Sequence, residues 1–284
     1  YTGWYTLSLH DALPISFVQP NHVKEVLKTG GCAVGTMIHR FVYADVGALV
    51  KRAGVDFVLI DTEHAPLGME SASLLCISTR AAGVVPIVRV PDSQYHLIAR
   101  RLDAGALGIM MPRVRTRAEV ELIVESAKYP PLGGRGCGIR PVMLDFESTG
   151  TLSGDMDWIN ENTLICIQIE TREAMENLEE ILSVPGVDAT IMGPQDLSIA
   201  LGTPGNHRSR AMELAVDRMI EVCDKYGVAP GIHIRNIELL LDMKRRGMRL
   251  LACGFDEGFM LEAMSQTMNL LRGGEGAKAR ETTV

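Results

Sequence analysis

Short, continuously apolar runs alternate with amphipathic stretches along nearly the whole chain. The apolar runs fall at 32–38, 55–61, 84–90, 107–111, 164–170, 187–192, 229–234 and 249–254. Val55-Asp56-Phe57-Val58-Leu59-Ile60-Asp61 is too continuously apolar for a sheet with one wet face, so it reads as a strand covered on both sides. Between the runs, the spacing predicts helices over 44–53, 71–82, 95–104, 117–128, 172–183, 209–226, 237–246 and 258–271, with a short helical lead-in at 22–28 and a turn of helix near Gln195. Gly54 closes the first of these as a helix stop. The stretch 130–163, rich in Gly, Pro and Arg, reads as long and irregular. Eight strands, each followed by helix, over about 250 residues predict an α/β fold, a single (β/α)8 TIM-type barrel. A doubly wound open sheet is the alternative, but no GxGxxG follows the first strand.

The polar residues cluster where such a barrel keeps its chemistry. Leu164-Ile165-Cys166-Ile167-Gln168-Ile169-Glu170 ends in a carboxylate and opens into a helix, and the pattern returns in Ala189-Thr190-Ile191-Met192-Gly193-Pro194-Gln195-Asp196. In a parallel barrel the C-terminal strand ends share one rim, where active sites sit. Glu170 and Asp196 converging there would make a hard-cation site of the Mg²⁺ or Mn²⁺ kind, Co²⁺ being a further option. Asp61, Glu63 and His64 end the second strand and Arg89 ends the third. Arg89 offers a planar donor fork for an oxyanion or enolate, and His64 can move a proton near neutral pH. Gln168 lies one turn of the pleat before Glu170. Gly193, Pro194 and Gln195 open a helical turn whose N–H groups can face a substrate carboxylate. Singly, each has an ordinary reading: an acid capping the next helix, a structural histidine, an arginine paired with Asp61 or Glu63. The combination is what carries weight.

Composition narrows the field. The 284 residues are 46% hydrophobic and 22% charged, ordinary for a globular protein, and the net charge of −7 offers no basic surface for nucleic acid. No apolar run approaches the roughly 18 to 20 residues of a membrane span. The six cysteines show no CxxC spacing, which fits a reducing, cytoplasmic setting. Residues 1–19 are expected to be an extension foreign to the fold: 8–16 resembles translated sequencing-adapter read-through, without the n-region and h-region of a signal peptide. Residues 20–272 form the expected barrel, and 273–284 a flexible tail.

The lysines discriminate between chemistries. All seven fall in predicted helices, helix ends or tails, and none in a barrel strand. A Schiff-base enzyme needs a desolvated amine facing its pocket, so carbonyl chemistry here would have to depend on a metal.

These residues resemble the HpcH/HpaI aldolase family of the phosphoenolpyruvate/pyruvate barrels, over about residues 21–271. The most specific pieces are Phe57-Val58-Leu59-Ile60-Asp61-Thr62-Glu63-His64-Ala65-Pro66, Val88-Arg89-Val90-Pro91, Tyr129-Pro130-Pro131 with Arg135-Gly136, Gln168-Ile169-Glu170-Thr171-Arg172-Glu173-Ala174 and Gly193-Pro194-Gln195-Asp196-Leu197-Ser198. The resemblance implies Glu170 and Asp196 as metal ligands, Arg89 at the pyruvyl keto oxygen, His64 at the aldol hydroxyl, Asp103 as the carboxylate partner of His64, and Asp61 as a further acid. It also implies homo-oligomers, usually hexamers that exchange the last helix. The apolar character of 258–271 is compatible with that. Two departures stand out: Gly138-Ile139-Arg140-Pro141-Val142-Met143-Leu144-Asp145-Phe146, and His233 where an aliphatic residue is usual.

The expected activity is reversible cleavage of a 4-hydroxy-2-oxo acid to pyruvate, or a close 2-oxo acid, and an aldehyde through a stabilised enolate. The alternatives are a related decarboxylase or a citrate-lyase-like acyl thioester lyase on the same barrel, and a barrel that binds a metabolite without turnover. A coenzyme A ester would need a basic surface, which the acidic composition disfavours.

Overall fold

The structure, a computed structural model, describes residues 19–273. The expectations for the extension and the tail therefore lie outside the described residues, Gln19 and Gly273 apart. The eight strands are β1 (Ala33–Ile38), β2 (Phe57–Asp61), β3 (Val85–Arg89), β4 (Gly108–Met111), β5 (Leu164–Ile169), β6 (Ala189–Met192), β7 (Gly231–His233) and β8 (Leu250–Phe255). They pair in sequence order, all parallel, and β8 returns to β1 to close the barrel. The helices are α1 (His22–Lys28), α2 (Val46–Arg52), α3 (Met69–Ala81), α4 (Tyr95–Asp103), α5 (Arg117–Ala127), α6 (Leu152–Asn162), α7 (Arg172–Glu176), α8 (Leu178–Leu182), α9 (Pro194–Ala200), α10 (Arg210–Tyr226), α11 (Ile237–Arg246) and α12 (Asp256–Leu271).

Strand side chains alternate between faces, and the alternation divides the core in two. Phe57, Leu59, Val85, Ile87, Leu164, Cys166, Ala189 and Ile191 fill the barrel, with Val23 and Leu27 of α1 packed beneath them. Val58, Ile60, Val88, Ile109, Ile165 and Ile167 face the helices instead. The inward series has room for Phe57 only because β1 carries Gly35: a Cβ there would lie 2.6 Å from the Phe57 ring.

The structure departs from the sequence reading in three places. The stretch read as irregular contains a 3-10 turn at Pro141–Leu144 and α6, which Thr151 starts by accepting from the Gly154 N–H. The helix expected over 172–183 breaks at Asn177, which caps α7 and α8 alike while its Nδ2 donates to the Arg115 carbonyl at 2.9 Å. β7 is shorter than expected because Pro230 has no N–H for the ladder; Ala229 before it makes only an isolated bridge to Ala189. Among the described residues, no helix is long and apolar enough to cross a membrane. α12 buries little of itself: Leu261, Met264, Leu270 and Leu271 are all exposed.

Candidate active site

Following each inward series one step past its last core residue gives the rim. The series Phe57, Leu59 leads to Asp61; Val85, Ile87 to Arg89; Leu164, Cys166 to Gln168 and Glu170; Ala189, Ile191 to Gly193. Asp61 and Arg89 are register partners across β2 and β3. Arg89 donates from Nε to Asp61 Oδ1 at 2.9 Å and from Nη2 to Oδ2 at 2.7 Å. Its third nitrogen, Nη1, lies 3.4 Å from Glu63 Oε2. Asp61 also accepts the backbone N–H of Glu63 at 3.0 Å and of His64 at 3.2 Å. One buried carboxylate thus orients Arg89 and folds the turn that carries His64.

Electrostatics follow from this packing. Burial alone would raise the Asp61 pKa, but His39 and Arg89 hold it well below the usual carboxylate range. Burial would lower the Arg89 pKa, and Asp61, Glu63 and Glu170 hold it above its ordinary value. Glu63 is raised, mainly by burial.

Glu170 stands just past β5 and is 5% exposed. Its Oε1 accepts the Arg113 N–H at 2.7 Å, and its Oε2 accepts from Gln168 Nε2. Arg113 provides that N–H from a left-handed backbone, φ 57°, an uncommon conformation for a residue with a side chain. Burial pushes the Glu170 carboxyl up to about 7, with Asp196 and Glu63 adding to the rise against the Arg113 N–H and Arg89. Gly193 lets these groups crowd together: a Cβ there would meet Glu170 Oε2 at 2.7 Å and Gln168 Nε2 at 2.8 Å. Asp196 sits in the first turn of α9, exposed, beside Gln195, with Pro194 at the start of the helix.

This donor set fits a hard divalent cation. Glu170 and Asp196 supply carboxylate oxygens of the kind Mg²⁺ and Mn²⁺ take. Burial is the main cause of the Glu170 rise; a cation would offset that cost of burying charge and relieve the added repulsion from Asp196 and Glu63, and the buried Gln168 Oε1 has no hydrogen-bond partner. Among the described residues no three His, Cys, Asp or Glu side chains gather to hold an ion by themselves. Two carboxylates would leave the remaining positions to water and substrate.

The structure thus brings Asp61, Arg89, Gln168, Glu170 and Gly193 together and sets Asp196 beside Glu170. His64 lies at the same rim, its side chain 64% exposed and its Nε2 3.6 Å from Glu63 Oε2. Asp103 is elsewhere. It ends α4, which runs from the rim to the opposite end of the barrel, and there its Oδ1 accepts from Arg135 Nη2 at 2.5 Å. Within one chain its recorded partner is Arg135, not His64.

Sequence reading missed His39, Arg113 and one lysine. His39 continues the inward series of β1 two residues past Met37, so the same alternation would have found it. Arg113 acts through its main chain, which leaves no trace in residue type. Lys128 is a desolvated amine after all: burial, with Lys24 nearby, pulls it down to about 7. Its Nζ donates to the carbonyls of Asn160 at 2.5 Å and Thr163 at 2.7 Å, just ahead of β5. It lies at the end of the barrel opposite the rim, so the argument against a Schiff base stands on position.

Fold and rim together define a (β/α)8 barrel with an acid-lined, arginine-bearing mouth. The model of the HpcH/HpaI aldolase/citrate lyase family matches residues 44–263. The 2-dehydro-3,6-dideoxy-6-sulfogluconate aldolase of Pseudomonas putida is 30% identical over 90% of this chain and 99% of its own length. The hydroxypyruvate/pyruvate aldolase of Sagittula stellata is 32% identical over 83% of this chain and 92% of its own. The crystal structure of an HpcH/HpaI aldolase from Desulfitobacterium hafniense superposes with a TM-score of 0.84 at 30% identity, covering 90% of this chain and 98% of that one. The chain belongs to the HpcH/HpaI aldolase/citrate lyase family and is a carbon–carbon lyase.

Proposed function

We propose that the protein is a metal-dependent aldolase that cleaves a 4-hydroxy-2-oxo acid to pyruvate, or a close 2-oxo acid, and an aldehyde. The observation that carries the reading is the buried Glu170 carboxylate, held by the Arg113 N–H and Gln168 Nε2, at the same rim as the Arg89 fork with its Asp61 and Glu63 partners. A divalent cation held by Glu170 and Asp196 would supply Lewis acidity to the 2-oxo acid. Arg89, with two nitrogens committed to Asp61, presents Nη1 toward the keto oxygen, where negative charge grows as the C3–C4 bond breaks. His64 accepts the proton of the C4 hydroxyl. The C3–C4 pair passes to C3, the aldehyde departs, and protonation of C3 gives the 2-oxo acid. Gln168 and the Gly193–Gln195 segment bound the carboxylate end. The reading includes Mg²⁺, Mn²⁺ or Co²⁺ as the cation, a cytoplasmic setting, and a homo-oligomer, supported by the exposed apolar surface of α12.

The test is exchange of pyruvate methyl protons in D₂O, followed by mass spectrometry, with chelated protein before and after each cation. Cation-restored exchange supports the reading. Absence of exchange with every cation overturns it in favour of a thioester lyase.

A further inference from the structure

The rim is braced from a side that the proposed chemistry does not use. β8 holds one residue more than β1 along their shared edge: the register passes from Gly35 opposite Ala252 to Met37 opposite Phe255. Such bulges re-aim side chains beside active sites. Gly254, inside the bulge, takes a left-handed backbone with φ 54°, and its carbonyl lies 2.9 Å from His233 Nε2. Phe255 stacks on His39, with ring centroids 4.8 Å apart and planes 13° from parallel. Asp256 then accepts the His39 N–H at 3.1 Å with Oδ1, and those of Arg40 at 2.9 Å and Phe41 at 2.7 Å with Oδ2. Ring and backbone of His39 are therefore both fixed by the end of β8.

This fixed ring turns its Nε2 toward Asp61 and toward its own strand. His39 Nε2 lies 3.2 Å from Asp61 Oδ2, the oxygen that also accepts from Arg89 Nη2, and 3.0 Å from Met37 Sδ. An ionised carboxylate and a thioether both only accept, so both contacts call for the proton on His39 Nε2. Asp61 Oδ2 is thus held between Arg89 on one side and His39 on the other. We propose that His39 is a positioning residue of the lyase: by holding Asp61 Oδ2 it fixes the plane of the carboxylate, and through it the direction of Arg89 Nη1. The proposal rests on the reading that Arg89 meets the keto oxygen. It needs the N–H of His39, not merely its ring.

Two variants of the full chain separate these. His39→Phe keeps the stack on Phe255 and loses the N–H; His39→Gln keeps an N–H donor and loses the stack. One measurement needs neither substrate nor metal: the rate at which phenylglyoxal modifies Arg89, read by peptide mass spectrometry. The other is kcat and KM for pyruvate methyl exchange. His39→Phe should label Arg89 roughly tenfold faster and lose about tenfold or more in kcat, the scale expected of a displaced catalytic group. KM should move by less than about threefold, as for a contact that matters in the transition state. His39→Gln should restore most of both. Wild-type labelling in His39→Phe, or equal impairment of the two variants, overturns the proposal. If the wild-type protein shows no exchange at all, the proposed function fails, and labelling alone decides whether His39 positions Arg89.

Discussion

Arg89 grips Asp61 with two parallel hydrogen bonds, Nε to Oδ1 at 2.9 Å and Nη2 to Oδ2 at 2.7 Å, between residues that are register partners on adjacent strands. The pair is buried at the barrel mouth, Asp61 fully and Arg89 at 8% exposure. Its geometry commits two guanidinium nitrogens to Asp61 and leaves Nη1 facing Glu63 at 3.4 Å, the nitrogen that the proposed function uses as an aimed donor.

Asp61→Asn takes the bidentate counter-charge from the buried guanidinium and leaves it Glu63 beside Nη1. Removing one partner of a buried pair costs about 3–5 kcal/mol, so urea denaturation should show a loss of that order. Arg89→Lys keeps the charge and loses the planar fork. It should cut kcat/KM about 10²-fold or more, as losing a donor to a developing oxyanion does. Near-wild-type turnover in Arg89→Lys would remove the aimed-donor account.

Glu170→Gln and Asp196→Asn test the cation site. Each should abolish saturable Mn²⁺ binding at equilibrium dialysis and reduce exchange at least about 10²-fold. The two should fail alike, because the proposed site draws its carboxylate ligands from these two residues. A variant that binds Mn²⁺ as tightly as wild type would take its residue out of the site.

Lys128 makes stability depend on pH. Its folded pKa is about 7, against roughly 10.4 for an unfolded lysine. Between these values the unfolded chain binds more protons, so stability should rise with pH from about 7 toward 10, by up to about 1.4 kcal/mol per pH unit. Lys128→Met removes the titrating group while leaving the Asn160 and Thr163 carbonyls without that donor. Its stability should be lower overall, but its urea midpoint should climb less between pH 7 and 9. Parallel pH profiles for the two proteins would refute the assignment.

α12 exposes Leu261 and Met264 at 56% and 51%. An exposed apolar stripe along one helix is the kind of surface through which chains associate, and the proposed homo-oligomer would use it. The double change Leu261→Glu with Met264→Glu should reduce the mass seen by light scattering while leaving the circular dichroism of the barrel intact. An unchanged mass would exclude α12 from the interface.

Much of the fold was legible because β2 to β6 are buried on both faces and β1, β7 and β8 nearly so, so each appears as a largely apolar run. The rim was legible for a related reason. Asp61, Arg89 and Gln168 each occupy the next inward position after a filled core site, with Glu170 one step further, so the alternation alone gathers these polar side chains at one end of the barrel. α6 was hidden because Gly154, Asp155, Asn160 and Asn162 dilute its apolar periodicity, and its start depends on a Thr151 cap rather than on hydrophobic spacing. The surroundings of Asp103 were not legible either. Its partner Arg135 comes from the loop after α5, and no local pattern announces a contact 32 residues away.

The alternation that sorts core from helix-facing side chains has one more effect. Asp61 and Arg89 meet only when β2 and β3 pair at the observed offset, and the same offset sends Phe57, Leu59, Val85 and Ile87 into the barrel. A slip of one residue in either strand would turn its apolar set outward and part the acid from the arginine in the same step. With Arg89 in the proposed role, a chain slipped at β2 or β3 is therefore a silent one, and turnover doubles as a report that these two strands have paired in their proper frame.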